Sequence, residues 1–288
     1  MLALLATLFA CVAAASASTY VGAVSQHESV AGATTAPGDV LKANLALFEQ
    51  DVTTAAESGA QIIVFPEWGL WPLEYTDSRA KIQPLCSSAR ELGVYMSTLR
   101  APCLDGANST LPTLPTLSCA AQRNKIDIVF NTCDVQTCAE AGSGYKCRGD
   151  GDDLIIRNIN VAMRADGTIH NVYAKSHVYL SKTFDEPIEP DHVIFESSFG
   201  IKFGMFVCFD ILFSDPGPYL HKNLGIDHFV YSSQIPLVGR ATFKTWSFVH
   251  NSALLASNYG TKTSGIYRHG SRLSNGGSDR VLVATIEA

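Results

Sequence analysis

Three residues of chemically useful type stand at the same kind of place in the chain. Glu67 follows the apolar run Gln61-Ile62-Ile63-Val64-Phe65 and Pro66, Lys175 ends Val172-Tyr173-Ala174, and Cys208 ends Gly204-Met205-Phe206-Val207. Catalytic groups favour strand ends, because the strand fixes the backbone while the side chain faces an open crevice. A carboxylate between Pro66 and Trp68 is partly desolvated, which suits proton transfer. A cysteine at a strand-to-helix turn can aim its sulfur at the helix N-terminus, where backbone N–H groups favour the thiolate and can hold an oxyanion. Each residue also has a plainer reading: a buried inert thiol, a solvated loop glutamate, a solvated lysine at a strand end. Spacing alone does not decide between them.

The elements that must position these groups read as an α/β alternation. Residues 20–24 form a short β-type run. Residues 40–57 carry Leu41, Leu45, Phe48, Val52 and Ala55 on one helical face, and Gly59 ends that helix. Residues 61–65 are continuously apolar, the mark of a strand covered on both faces. A helix is expected around residues 87–92, whereas residues 101–118, with their prolines, read as a loop. Residues 127–132 are a strand. Residues 154–163 and 169–174 flank Asp166-Gly167, a hairpin signal. Further strands follow at 201–207, 228–232, 254–258 and 281–286, with a helix near 242–252. The order is β-α-β with interleaved hairpins, so the sheets are mixed. No repeat or linker divides residues 18–288, which read as one domain.

Composition bounds the function. The 288 residues are 47% apolar and 17% charged, with net charge −6. Mean hydropathy is +0.12 and the pI about 5.7. This is globular core material. The 21 Lys and Arg residues are scattered, so no basic face for nucleic acid is expected. Residues 1–17 read as a signal peptide, with an apolar stretch and Ala15-Ser16-Ala17 as the cleavage site, although no basic residue precedes the stretch. A membrane anchor is disfavoured because the run is shorter than the ~20 residues that span a bilayer. Of eight cysteines, Cys86, Cys103, Cys119, Cys133, Cys138 and Cys147 cluster within residues 86–147. In an exported chain this reads as three disulfides on a surface insertion. The rival, a zinc site, lacks a second close pair to match Cys133 and Cys138. Asn108-Ser109-Thr110 is a glycosylation sequon in the same stretch. Cys208 is left without a partner.

Flanking words add a resemblance. Pro66-Glu67, YAKSHVYL at 173–180 and CFDILFSDP at 208–216, with FDEP at 184–187, SGIY at 264–267 and LLASN at 254–258, resemble the nitrilase superfamily, and within it the secreted biotinidase and vanin branch. The resemblance covers roughly residues 20–286. It implies a four-layer α-β-β-α sandwich with two mixed β-sheets and a Glu67-Lys175-Cys208 triad. It implies that Glu67 takes the thiol proton, Cys208 attacks an amide carbonyl, and Lys175 with the backbone N–H of Phe209 stabilises the oxyanion. A thioester would form and be hydrolysed, with no cofactor or metal and with a small-molecule amide as substrate. Cys103/Cys119 and Cys138/Cys147 resemble paired cysteines of that branch, which leaves Cys86 for Cys133.

The sequence also departs from that pattern. A second glutamate that many relatives carry falls near Ser181, with Glu186 close but offset. Residues 231–236 are shorter than their counterpart, which helps form the substrate pocket. The branch has a further C-terminal domain, for which the sequence to Ala288 has no counterpart. Three readings therefore stand: an amidohydrolase acting on pantetheine or a biotin amide, a related amidase or carbamoylase, and a catalytically weak secreted binding protein. Oligomeric state is left open.

Overall fold

Short apolar runs become strands here, and alternation along them decides which face each residue serves. A computed structural model describes residues 19–30, 36–105, 111–149, 151–179, 182–235, 239–260, 262–274 and 279–288. The expected signal peptide, Asn108, Ser181 and Pro236 lie outside the described residues. The strands are β1 (Thr19–Ser25), β2 (Ile62–Val64), β3 (Ser87–Ser88), β4 (Asp127–Thr137), β5 (Leu154–Met163), β6 (Ile169–Ala174), β7 (Ile194–Glu196), β8 (Lys202–Val207), β9 (His228–Ser233), β10 (Ala253–Asn258), β11 (Gly265–Arg268), β12 (Ser271–Arg272) and β13 (Val281–Glu287). The helices are α1 (Pro37–Glu57), single turns α2 (Leu73–Thr76) and α3 (Arg79–Ile82), α4 (Ala89–Thr98), α5 (Thr113–Asn124), the turn α6 (Cys138–Ala141), α7 (Gly217–Leu224) and α8 (Arg240–Val249).

Two sheets result. One has the order β13-β1-β2-β4-β5-β6, with β3 beside β4; the other has the order β12-β11-β10-β9-β8-β7. Both are mixed. In the first, β1, β2 and β4 are parallel and the remaining neighbours along that order antiparallel. In the second, β8, β9 and β10 form the parallel centre.

The cores show the layers. Phe48 and Val52 of α1, Leu117 and Ala121 of α5, and Ile63 of β2 pack in one cluster. Ile62 and Val64 of β2 face the opposite way, against Met205 and Val207 of β8, Val230 of β9 and Leu255 of β10. Phe206, Phe229 and Leu254, from the outer face of the second sheet, meet Phe243 and Trp246 of α8. Neighbouring residues of one strand thus feed different cores, as the two-residue period of a strand requires. The result is the α-β-β-α sandwich that the sequence implied.

Residues 86–147 are less of a loop-like insertion than expected. Helix α5 starts at Thr113 despite Pro115, because first-turn N–H groups have no intrahelical acceptor, so proline there forfeits no hydrogen bond. Strand β4 runs through the middle of the first sheet. The cysteines pair as Cys86–Cys133, Cys103–Cys119 and Cys138–Cys147. Strands β7 and β11 and helix α7 are additions to the sequence reading. They are short, and their alternation is too brief to read.

Topology brings three strand ends to one edge. Strand β6 is antiparallel to β5, which is antiparallel to β4, so β6 runs with β2. Glu67 and Lys175 therefore leave the first sheet at the same edge. Cys208 leaves the parallel centre of the second sheet, where open α/β sheets place their sites.

At β9, the hydroxyl of Tyr20 lies 3.0 Å from His228 Nδ1 and ties the sheets together. Burial, then Arg268, lowers the His228 pKa to about 4. The fold favours the neutral ring, so its contribution is complete above the unfolded pKa of 6.5 and is lost as pH falls toward about 4. That contribution is at most about 3 kcal/mol. Denaturant unfolding measured across this window should therefore be less steeply pH-dependent in His228→Gln than in the wild type. Equal slopes would show that the ring titrates alike in the folded and unfolded chain.

Candidate active site

Strand β2 ends because Pro66 cannot extend it. Trp68 then turns the chain with φ 60°. At Gly69 a Cβ would sit 2.8 Å from the Phe48 ring, so only glycine lets the turn lie on α1. This turn sets Glu67, 2% exposed, between the sheets. Lys175, 5% exposed, leaves β6 with its backbone N–H on the carbonyl of Asn158 at 2.8 Å. Its Nζ donates to Glu67 Oε1 at 2.8 Å. Asn158 Nδ2 donates to the same oxygen at 2.7 Å.

Among the described residues Cys208 is the free cysteine, and it is buried. It has φ 51°, a left-handed conformation that costs a non-glycine residue roughly 1–2 kcal/mol. Tyr231 and Asp210 hold the turn. Tyr231 donates its hydroxyl to the Cys208 carbonyl at 2.7 Å. Asp210 Oδ2 accepts the Val207 N–H at 2.9 Å and the Tyr173 hydroxyl at 2.7 Å. Asp210 Oδ1 accepts the backbone N–H of His177, with His177 Nδ1 also 2.9 Å away. One buried carboxylate thus fastens the segment after Lys175 to the turn that carries Cys208.

The turn differs from the expected helix N-terminus. Cys208–Leu212 is a 3-10 turn, and α7 begins only at Gly217. Thiolate formation is also disfavoured. Burial pushes the Cys208 thiol up, the Glu67 charge and hydrogen bond add to this, and Lys175 opposes it. For Lys175, burial works against the ammonium, but the charge and hydrogen bond of Glu67, with Cys208 adding to them once its thiol ionises, outweigh it and raise the pKa.

A cavity of about 480 Å³ opens here, with Glu67, Trp68, Asn158, Lys175, Phe184 and Gln234 among its walls. Cys208 is buried behind this wall: its sulfur lies 3.9 Å from the carbonyl oxygen of Gln234, one of the lining residues. Trp68 and Phe184 stack with ring centroids 4.8 Å apart and form an aromatic side. The FDEP segment fixes this side, because Asp185 pairs with Arg79 at 2.7 Å and Arg148 at 2.8 Å. Glu186, close to Lys175 in sequence, binds the Val178 N–H instead. The Phe209 ring lies against Tyr179 and Phe213.

Sequence reading therefore brought Glu67, Lys175 and Cys208 to one place, and it missed Asn158, Asn131 and Asp210. The missed signal was present. Asn158 and Asn160 are buried beside Ile156, Ile159 and Val161 in β5, where an amide must be partnered or costly.

The chain can be set beside known proteins. The carbon-nitrogen hydrolase family profile matches residues 23–259. The chain is 36% identical to a biotinidase of Bos taurus over 261 residues, which is 84% of this chain and 47% of that protein. It is 33% identical to a pantetheinase of Bos taurus over 267 residues, 88% and 50% of the two chains. The chain thus spans about half the length of the curated relatives it matches. An amidase of Nesterenkonia sp. shares the fold, with TM-score 0.65, 16% identity, and 93% and 90% of the chains covered. A carbon-nitrogen hydrolase of Helicobacter pylori G27 does so with TM-score 0.61 and 16% identity over 93% and 89%. The chain belongs to the carbon-nitrogen hydrolase family.

Proposed function

We propose that this protein hydrolyses a small linear amide through a cysteine thioester, with Cys208 as nucleophile, Glu67 as general base and acid, and Lys175 as oxyanion stabiliser. The observation that carries this reading is a buried ion pair, Lys175 to Glu67, in the wall of a cavity, with the buried Cys208 thiol close enough for both charges to act on it. The names of the 32–36% identical relatives point to a biotin amide or pantetheine as substrate type.

The raised thiol pKa selects the order of events. The resting sulfur is protonated, so the proton moves to Glu67 as the carbon–sulfur bond forms. The oxygen of the attacked carbonyl gains negative charge, and Lys175, together with the Phe209 N–H, stabilises it. Glu67 returns the proton to the leaving amine. A water deprotonated by Glu67 then cleaves the thioester and frees the acid and the thiol. The three disulfides favour an oxidising compartment, and we place the protein outside the cytosol.

Fluorogenic biotinyl and pantothenoyl amides test this reading. The wild type should turn over at least one. Cys208→Ala should abolish turnover, and Glu67→Gln should lower kcat by roughly 10²-fold or more. Turnover retained in Cys208→Ala would remove the thioester route.

Thiol protonation has its own measurement. Iodoacetamide followed by intact-mass analysis should label one cysteine per chain among the described residues, Cys208. Its rate should still be climbing near about pH 10, where an ordinary thiol, with pKa about 8.5, has levelled off. A plateau near neutral pH would mean a preformed thiolate and exclude the general-base step.

A further inference from the structure

Glu67 stands at the end of a chain of buried amides, and the directions of those amides can be read without ambiguity. Asn131, Asn158, Asn160 and Ser232 are at most 3% exposed. The Trp68 backbone N–H, which can only donate, meets Asn131 Oδ1 at 3.2 Å. That fixes Asn131 Nδ2 as the end facing Asn158 Oδ1, at 2.7 Å. Asn158 must therefore present Nδ2 to Glu67. The same Asn131 Nδ2 lies 3.1 Å from Asn160 Oδ1, and Asn160 donates to Ser232 Oγ at 3.1 Å. Ser232 in turn donates to the Phe65 carbonyl at 2.7 Å and closes the chain on the strand that carries Glu67.

We propose that Asn131 and Asn158 are positioning residues that act in series: Asn131 sets the direction of the Asn158 amide, and Asn158 pins Glu67 through Oε1. Lys175 binds Oε1 as well, so both fixed donors occupy one oxygen and Oε2 is left to receive the proton. In that transfer the S–H bond of Cys208 breaks and an O–H bond forms at Oε2. The electron pair stays on sulfur and attacks the carbonyl carbon. Asn131 influences the reaction without touching Glu67, because its own amide has only one direction compatible with the Trp68 N–H. An aspartate there would still accept from Trp68 but would turn an oxygen toward Asn158. Asn158 would then rotate and face Glu67 with its own oxygen.

This inference rests on the amidohydrolase reading, and a double-mutant cycle tests it. Asn158→Ala, Asn131→Asp and the double variant are compared with the wild type for kcat and KM on the best of the biotinyl and pantothenoyl amides. The rate of Cys208 alkylation by iodoacetamide is measured in parallel. Each single variant should lower kcat roughly tenfold to a hundredfold, the scale for partners that orient an active-site ligand, with KM nearly unchanged. The double variant should be no worse than Asn158→Ala alone, and alkylation should show the same non-additivity. Multiplying effects, or an Asn131→Asp variant with wild-type kcat and alkylation, would overturn the series arrangement. If Asn131→Asp does not fold, Asn158→Asp replaces it, because it keeps the acceptor for Asn131 but faces Glu67 with an oxygen. It must lose at least as much kcat as Asn158→Ala, and wild-type activity would overturn the proposal. If the wild type cleaves neither amide, the hydrolase reading fails, and the alkylation cycle still decides the amide series.

Discussion

The ion pair between Lys175 and Glu67 is the constraint around which the rest of the site is arranged. Taking two charges out of water costs several kcal/mol each, and their attraction repays this only when geometry is good and the remaining polar atoms are satisfied. The fold meets those terms by supplying each partner from a strand end of the same sheet. The backbone on both sides is therefore already fixed by ladder hydrogen bonds when the side chains meet. Lys175 is further tethered by its own N–H on Asn158, the residue that donates to Glu67. Lysine and glutamate thus share a reference point one strand away. A removed partner would leave the other charge buried and alone, which explains why such a pair belongs in a site that needs both charges.

The second sheet contributes a different kind of stored cost. Cys208 is held in a left-handed conformation at the end of β8, and the turn persists because Asp210 and Tyr231 over-determine it. Asp210 also binds the backbone after Lys175, so it spans the two sheets. Its two oxygens therefore do for the Cys208 turn what Asn158 does for Glu67: they fix one strand end by reference to another. The sandwich joins these halves through an apolar layer of side chains such as Val64 and Val207, and few polar groups cross it. Asn160 to Ser232 and Tyr173 to Asp210 cross it near Glu67 and Cys208, and Tyr20 to His228 crosses it at the other end of β9.

Much of this was legible in the sequence, and the unread parts have identifiable causes. The hairpin of residues 154–163 and 169–174 was readable to the residue, because Asp166-Gly167 dictates the turn and Gly167 has φ 78°. Strand ends at Glu67, Lys175 and Cys208 were readable because proline or a polar residue stops an apolar run. Helix α5 was hidden by Pro115, which signals a loop unless one knows that it falls in a first turn. The protonation tendency of Cys208 was misjudged for a physical reason. Sequence reveals the turn that could favour a thiolate, but not that burial and a neighbouring carboxylate outweigh it. Asn158 was passed over because a strand pattern scores its apolar neighbours, while the amide's role depends on partners 27 and 91 residues away.

The choice of neutral amides around Glu67 follows from the same electrostatics. A base in a dry site needs donors to remain where it is, but each added cation would hold its negative charge more tightly and make it a poorer proton acceptor. Lys175 already supplies one positive charge. An asparagine provides a further directed hydrogen bond without a second charge, and its own carbonyl can be satisfied by the next amide in line. The series ends at a backbone carbonyl of Phe65, so it introduces no net charge between the sheets. A second carboxylate in place of Asn158 would repel Glu67, and a second ammonium would compete with the thiol for its electrons. From its place on β5, the Asn158 amide donates to Glu67, accepts from Asn131 and leaves the charge balance of the pair intact.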